Sequence, residues 1–162
     1  MEDFESKPKK KLTPLQAKSA IERYCAYQER SQSEVRTRLY SYGLYGDVIE
    51  EIISTLIINK FLNEERYAKA LAGGKFRVKK WGKVKIIQKI KQSGLSVYCI
   101  KSGMKEIPEE DYKAELEKQF HKKLPNIKES NKAILKQKIA RFLIGKGYEG
   151  NLVWDLIARE LK

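Results

Sequence analysis

The chain is poor in the residues that most often carry chemistry. It has one histidine, His121, and two cysteines, Cys25 and Cys99, among 162 residues. So few ligands cannot assemble a Cys/His zinc site, and two thiols 74 positions apart make no disulfide framework. Both cysteines read as small core or part-buried side chains. No apolar run approaches the roughly 18–20 residues that span a bilayer, so no membrane partner is expected. The first eleven residues are charged where a signal peptide would be apolar, so the expected compartment is the cytoplasm. Prolines number four, and three of them stand where a helix could begin or has just ended.

An enzyme needs a nucleophile, a tuned acid–base pair or a metal, and the sequence offers none convincingly. His121 sits between Phe120 and the cations Lys122 and Lys123, as an exposed histidine at a helix end does. The acidic clusters Glu50-Glu51, Glu64-Glu65 and Glu109-Glu110-Asp111 each fall near the first turn of an expected helix, where carboxylates complement the positive end of the dipole. Gly73-Gly74-Lys75 lacks the first glycine, the spacing and the hydroxyl of a phosphate-binding loop. The chain is therefore expected to be no enzyme and to carry no cofactor and no metal.

What is present in excess is positive charge. Lys and Arg total 34 against 21 Asp and Glu, a formal +13 that favours a polyanionic partner. The excess is concentrated. From Tyr67 to Lys105 there are 11 basic residues and not one acidic residue, whereas the flanks are nearly balanced. Thirty-nine residues without a carboxylate describe a built electrostatic feature rather than a general drift toward lysine.

The periodicity is helical throughout. Thr13-Pro14 is an N-cap and first-turn pair, and Ala17, Ala20, Ile21, Tyr24 and Cys25 follow at helical spacing. Ser31 with Glu34 predicts a capping box, and Asp47 with Glu50 repeats the device before Val48, Ile49, Ile52, Ile53, Leu56 and Ile57. The pattern then recurs. Val35, Leu39 and Gly43 correspond to Ile86, Ile90 and Gly94 and to Ile139, Leu143 and Gly147, at offsets of 51 and 53 residues. Each glycine falls just past an amphipathic helix, where a left-handed residue lets the chain turn sharply into the next.

The expected fold is thus all-α: three tandem three-helix repeats forming an elongated, curved array. The boundaries read as a disordered basic leader over 1–12 and repeats over 13–62, 63–106 and 107–162, the second strongly basic. The cationic strip Lys75, Arg77, Lys79, Lys80, Lys83, Lys85, Lys89 and Lys91 is the expected contact set, with Arg36 and Arg38 as a second patch. Lys85 and Lys89 should point away from the inward stripe Ile86, Ile87 and Ile90. Trp81, immediately before a helix, is expected to pack rather than to stack on a base. Phosphate contacts of this kind supply affinity without reading sequence.

Three passages carry a family resemblance. They are Phe61-Leu62-Asn63-Glu64-Glu65-Arg66-Tyr67-Ala68, then Trp81-Gly82-Lys83-Val84-Lys85-Ile86-Ile87-Gln88-Lys89-Ile90 running to Ser93-Gly94-Leu95, and Arg36-Thr37-Arg38-Leu39 running to Gly43. In these the sequence resembles the RecX regulatory proteins of bacteria, modulators of the RecA recombinase, over about residues 15–162. The resemblance implies a chain of three-helix units that lies in the helical groove of a RecA filament on single-stranded DNA, where it suppresses ATP turnover and strand exchange, blocks extension or promotes disassembly. It implies a place in homologous recombination, DNA repair and the SOS response, and it brings no catalytic residues with it. The expected partners are the RecA filament and single- or double-stranded DNA, with the chain itself a monomer. Two other readings stay open: a sequence-independent DNA-binding helical protein and, more remotely, a metal-dependent nuclease or nucleotidyl transferase.

Overall fold

Helix-forming grammar repeated three times along the chain gives nine α-helices and one short 3-10 turn among the described residues, with no strand. The structure, a computed structural model, describes residues 11–162. Of the expected leader, residues 1–10 lie outside the described residues. Leu12 donates its backbone N–H to the Tyr42 carbonyl at 3.0 Å and packs on the first core.

The first repeat comprises α1 (Pro14–Tyr27), α2 (Gln32–Ser41) and α3 (Asp47–Ile58). Thr13 and Gln16 form a capping box at α1, and Ser31 and Glu34 form one at α2, each satisfying two orphan amides. The box expected at Asp47 is absent. Gly46 is the N-cap of α3 and makes no side-chain cap, so Asp47 enters the first turn as a dipole partner. Glu50 is drawn away to Arg36 on α2. Inward positions Ala17, Ile21, Val35, Leu39, Ile49, Ile53 and Leu56 form one buried cluster. Each large aliphatic side chain buried there contributes about 1.5–3 kcal/mol.

The chain divides into two compact units between Tyr67 and Ala68. The division falls inside α4 (Glu64–Arg77), so the first unit holds the first repeat and the opening turn of α4. The second unit holds the rest of α4 with α5 (Lys83–Gln92), α6 (Val97–Met104), α7 (Glu109–Lys123), the 3-10 turn Leu124–Asn126, α8 (Lys132–Gly145) and α9 (Gly150–Glu160). The three glycines that mark the repeats, Gly43, Gly94 and Gly147, all have positive φ, at 85°, 78° and 101°. In the first and third turns the paired bonds of a Schellman motif are complete: Leu44 N–H to Leu39 O and Tyr148 N–H to Leu143 O close the outer ring.

Within the second unit the middle and third repeats are joined backbone to backbone. Gly82 donates to the Lys146 carbonyl at 2.8 Å and Val84 to that of Gly147 at 2.9 Å. A Cβ on Gly82 would lie 2.2 Å from the Gly147 carbonyl carbon, and one on Gly147 would lie 2.4 Å from Lys85 Cβ. No other residue fits at either place without moving main chain. Around this joint Phe76, Tyr112 and Tyr148 form a run of tilted rings with centroids 6.0 and 5.4 Å apart. Both hydroxyls are used. Tyr112 accepts from the Lys83 amide and donates to Glu149, and Tyr148 donates to the Lys80 carbonyl. Burial, together with the neighbouring Glu149 and Glu115 charges, raises both phenols well above their ordinary range.

Candidate functional site

The eight cations of the expected strip divide into two groups. Lys75 and Lys85 place their ammonium groups 4.9 and 4.5 Å from the Trp81 ring centroid. Trp81 is half-buried, so its ring serves as a platform for two lysines of its own repeat. Lys80 sits at φ 59° in the link after α4, tied by the Tyr148 hydroxyl on its carbonyl and by Glu115 at 3.8 Å from its ammonium. Lys83 forms an ion pair with Glu109 and lies 4.5 Å from the Tyr112 ring centroid. Its hydrogen bond holds the Glu109 carboxyl below the usual carboxylate range. These four positive charges work within the second unit.

The other four face outward. Arg77, Lys79, Lys89 and Lys91 are exposed, and none forms an ion pair among the described residues. Arg77, in the last turn of α4, leans back over Gly73, where a Cβ would lie 2.6 Å from its guanidinium nitrogen. On α5, Ile86 and Ile90 are fully buried and Ile87 half-buried, which turns Lys89 and Lys91 to solvent. Lys101 and Lys105, in and just after α6, are also exposed and belong to the same carboxylate-free stretch of sequence beyond the expected strip.

Lys146 was not legible as a neighbour of the strip. It caps α8 in the third repeat, yet Lys80 and Lys85 act on its charge, which burial and these like charges hold below the usual lysine range. It donates to Gln119 at 3.1 Å. A tertiary contact brings it there, and no local signal announces one.

In the first unit, Arg36 forms a two-pronged ion pair with Glu50, its Nε 2.9 Å and its Nη2 3.2 Å from the two carboxylate oxygens. Each partner shifts in the direction that favours its charged form. Among the described residues Arg38 forms no ion pair, and it lies over aromatic rings instead, 4.8 Å from the Tyr24 centroid and 6.0 Å from that of Tyr42. The two arginines of the second patch thus have different partners.

No group of three or more His, Cys, Asp or Glu side chains that could hold a metal ion occurs among the described residues. Burial pushes the Cys25 thiol up to about 11, away from a reactive thiolate. His121 is exposed, with its Nε2 3.7 Å from Glu160.

Comparison with known proteins matches this architecture repeat by repeat. Family models described as the first, second and third three-helix domains of RecX match residues 17–56, 63–104 and 109–157. The regulatory protein RecX of Lactococcus lactis subsp. cremoris (strain SK11) is 29% identical over 136 residues, covering 82% of this chain and 51% of its own. That of Clostridium acetobutylicum is 28% identical over 152 residues, covering 91% of this chain and 68% of its own. The chain spans about half the length of the first curated relatives it matches. The crystal structure of RecX from Lactobacillus salivarius shares the fold at a TM-score of 0.79 and 20% identity, covering 90% of this chain and 95% of that one. With three successive domain models falling in order on its three repeats, the chain belongs to the RecX family of regulatory proteins.

Proposed function

We propose that this chain, as a monomer, binds the RecA recombinase filament on single-stranded DNA, in the filament's helical groove, and inhibits its ATPase and strand-exchange activities. One observation supports it above the others: in the middle repeat Arg77, Lys79, Lys89 and Lys91 are exposed and, among the described residues, have no carboxylate partner. A nucleoprotein groove offers phosphates and acidic protein surface together, and several weak cationic contacts along it add through effective concentration. Inhibition then needs no bond-making. A ligand that binds one arrangement of the filament better than another shifts the population toward it by the difference in affinity. Such a regulator would act in homologous recombination, DNA repair and the SOS response.

The test adds the chain to a preformed filament of the cognate recombinase and follows ATP hydrolysis, first native and then with Arg77, Lys79, Lys89 and Lys91 changed to Glu. The expected result is strong inhibition by the native chain and little by the variant. Unchanged hydrolysis with the native chain overturns the reading. A sequence-independent DNA-binding protein, which the same exposed cations also suit, would instead bind naked DNA as tightly as the filament and lose affinity steeply with salt.

A further inference from the structure

The first unit holds a cluster that the cationic strip does not account for. Arg30, just past α1, places its guanidinium 3.8 Å from the Tyr24 ring centroid, and Arg38 from α2 places its own 4.8 Å from the same ring. Among the described residues neither has a carboxylate partner. Arg30 Nε donates to the Tyr24 carbonyl at 3.1 Å, which fixes its side chain over the ring. Two guanidinium charges are thus gathered at one aromatic side chain, with Glu34, one turn before Arg38 on α2 and tied into its capping box, the only carboxylate lining the hollow beside them.

A shallow hollow opens beside them, lined by Tyr24, Ser33, Glu34, Thr37, Arg38 and Ser41. Ser33 and Thr37 stand one turn apart on α2, and among the described residues neither hydroxyl forms a hydrogen bond. The Glu34 carboxylate accepts from the Ser31 amide at 2.8 Å in the capping box. One turn beyond Tyr24 on α1, Tyr27 is 83% exposed. The ensemble combines planar cations, free hydroxyl donors and an uncovered aromatic face.

We infer that this hollow is a second, separate binding site whose ligand is unpaired nucleic-acid strand. Phosphates would lie on Arg30 and Arg38, with Ser33 and Thr37 donating to their oxygens, and a base would stack on Tyr27. Guanidinium planes and aromatic rings are the surfaces on which splayed bases stack, and a duplex keeps its bases out of their reach. An acidic peptide would use the cations but has no need of the exposed ring.

The experiment measures binding of a labelled oligothymidylate to the full chain by fluorescence anisotropy across a salt series. Changing both Arg30→Gln and Arg38→Gln should lower affinity about tenfold and reduce the slope of log K against log salt by about 1.4, as expected for two lost phosphate contacts. Because Arg30 also braces Tyr24, Arg38→Gln alone is measured beside it, and circular dichroism confirms that both variants keep their helix content. Arg30→Lys with Arg38→Lys should restore the slope but not the full affinity, since a lysine offers charge without a plane. Tyr27→Ala should weaken single-strand binding about tenfold and leave duplex binding unchanged.

An unchanged slope in the Gln variants overturns the site. So does full rescue by the Lys pair, an equal loss of duplex binding in Tyr27→Ala, or an equal loss of affinity for polyglutamate in the Gln variants. Recombinase ATP hydrolysis is not a readout here, so failure of the filament reading leaves this result standing, and the reverse also holds.

Discussion

Lys80 and Lys83 lie within eleven residues of Lys89 and Lys91 in one uninterrupted basic stretch, yet the two pairs do opposite work. The first pair is turned inward, to Glu115 and Glu109, and pins the middle repeat to the third. The second pair, on opposite flanks of the buried stripe of α5, is exposed and forms no ion pair among the described residues. Residue type and local charge are the same. What separates them is distance from the Gly82–Gly147 contact, which brings the acidic α7 beside the start of α5 but not beside its end. A run of like charge is therefore not one surface, and charge reversal across the whole run would mix loss of folding with loss of binding.

The comparison breaks most completely at the joint. Gly82→Ala must displace main chain of the third repeat and should cost on the order of 3 kcal/mol or more, lowering the urea midpoint of unfolding followed by circular dichroism. Ile86→Ala, on the inward face of α5, should cost about 2–5 kcal/mol in the same assay and leave the outward lysines where they are. Lys83→Met should lower the midpoint by a fraction of the Gly82→Ala effect, because the ion pair goes while the Lys83 amide keeps its bond to Tyr112. Lys89→Glu with Lys91→Glu should leave the midpoint within about 0.5 kcal/mol of native while weakening polyanion binding, measured by anisotropy.

The smallest effect is on pH dependence. Glu109 and Glu50 have carboxyls lowered from 4.5 by Lys83 and Arg36, so the stability they contribute is present above that value. It is lost as pH falls through their folded-state values. Glu109→Gln should flatten the fall of the urea midpoint as pH drops below 4.5, and Glu129, held down by Lys138, should contribute in the same sense.

The helices and their order were legible because each carries its own signal. Thr13-Pro14 and Ser31–Glu34 cap where they stand, and Gly43, Gly94 and Gly147 turn where the periodicity stops. Asp47 misled because a capping pattern in sequence does not register that Gly46 already starts the helix, or that Arg36 competes for Glu50. The outward direction of Lys89 followed from helical phase alone. The inward commitment of Lys80 and Lys83, and the nearness of Lys146, required knowing which repeat meets which. That is set by a backbone contact between two glycines 65 positions apart, for which local pattern has no vocabulary. Arg30 escaped notice for a related reason, since its partner is a ring on the preceding helix rather than a charge.

Gly147 differs from its two counterparts in one respect. A side chain on Gly94 would meet nothing within 4 Å, and one on Gly43 would meet only Lys11. At those two turns an asparagine, which tolerates the left-handed region, is an admissible exchange. At Gly147 it is not, because the turn there is also the seat for another repeat's main chain. The repeats are therefore not interchangeable: the third module can follow the second, but shuffling their order would leave that seat empty and Gly82 with nothing to dock against.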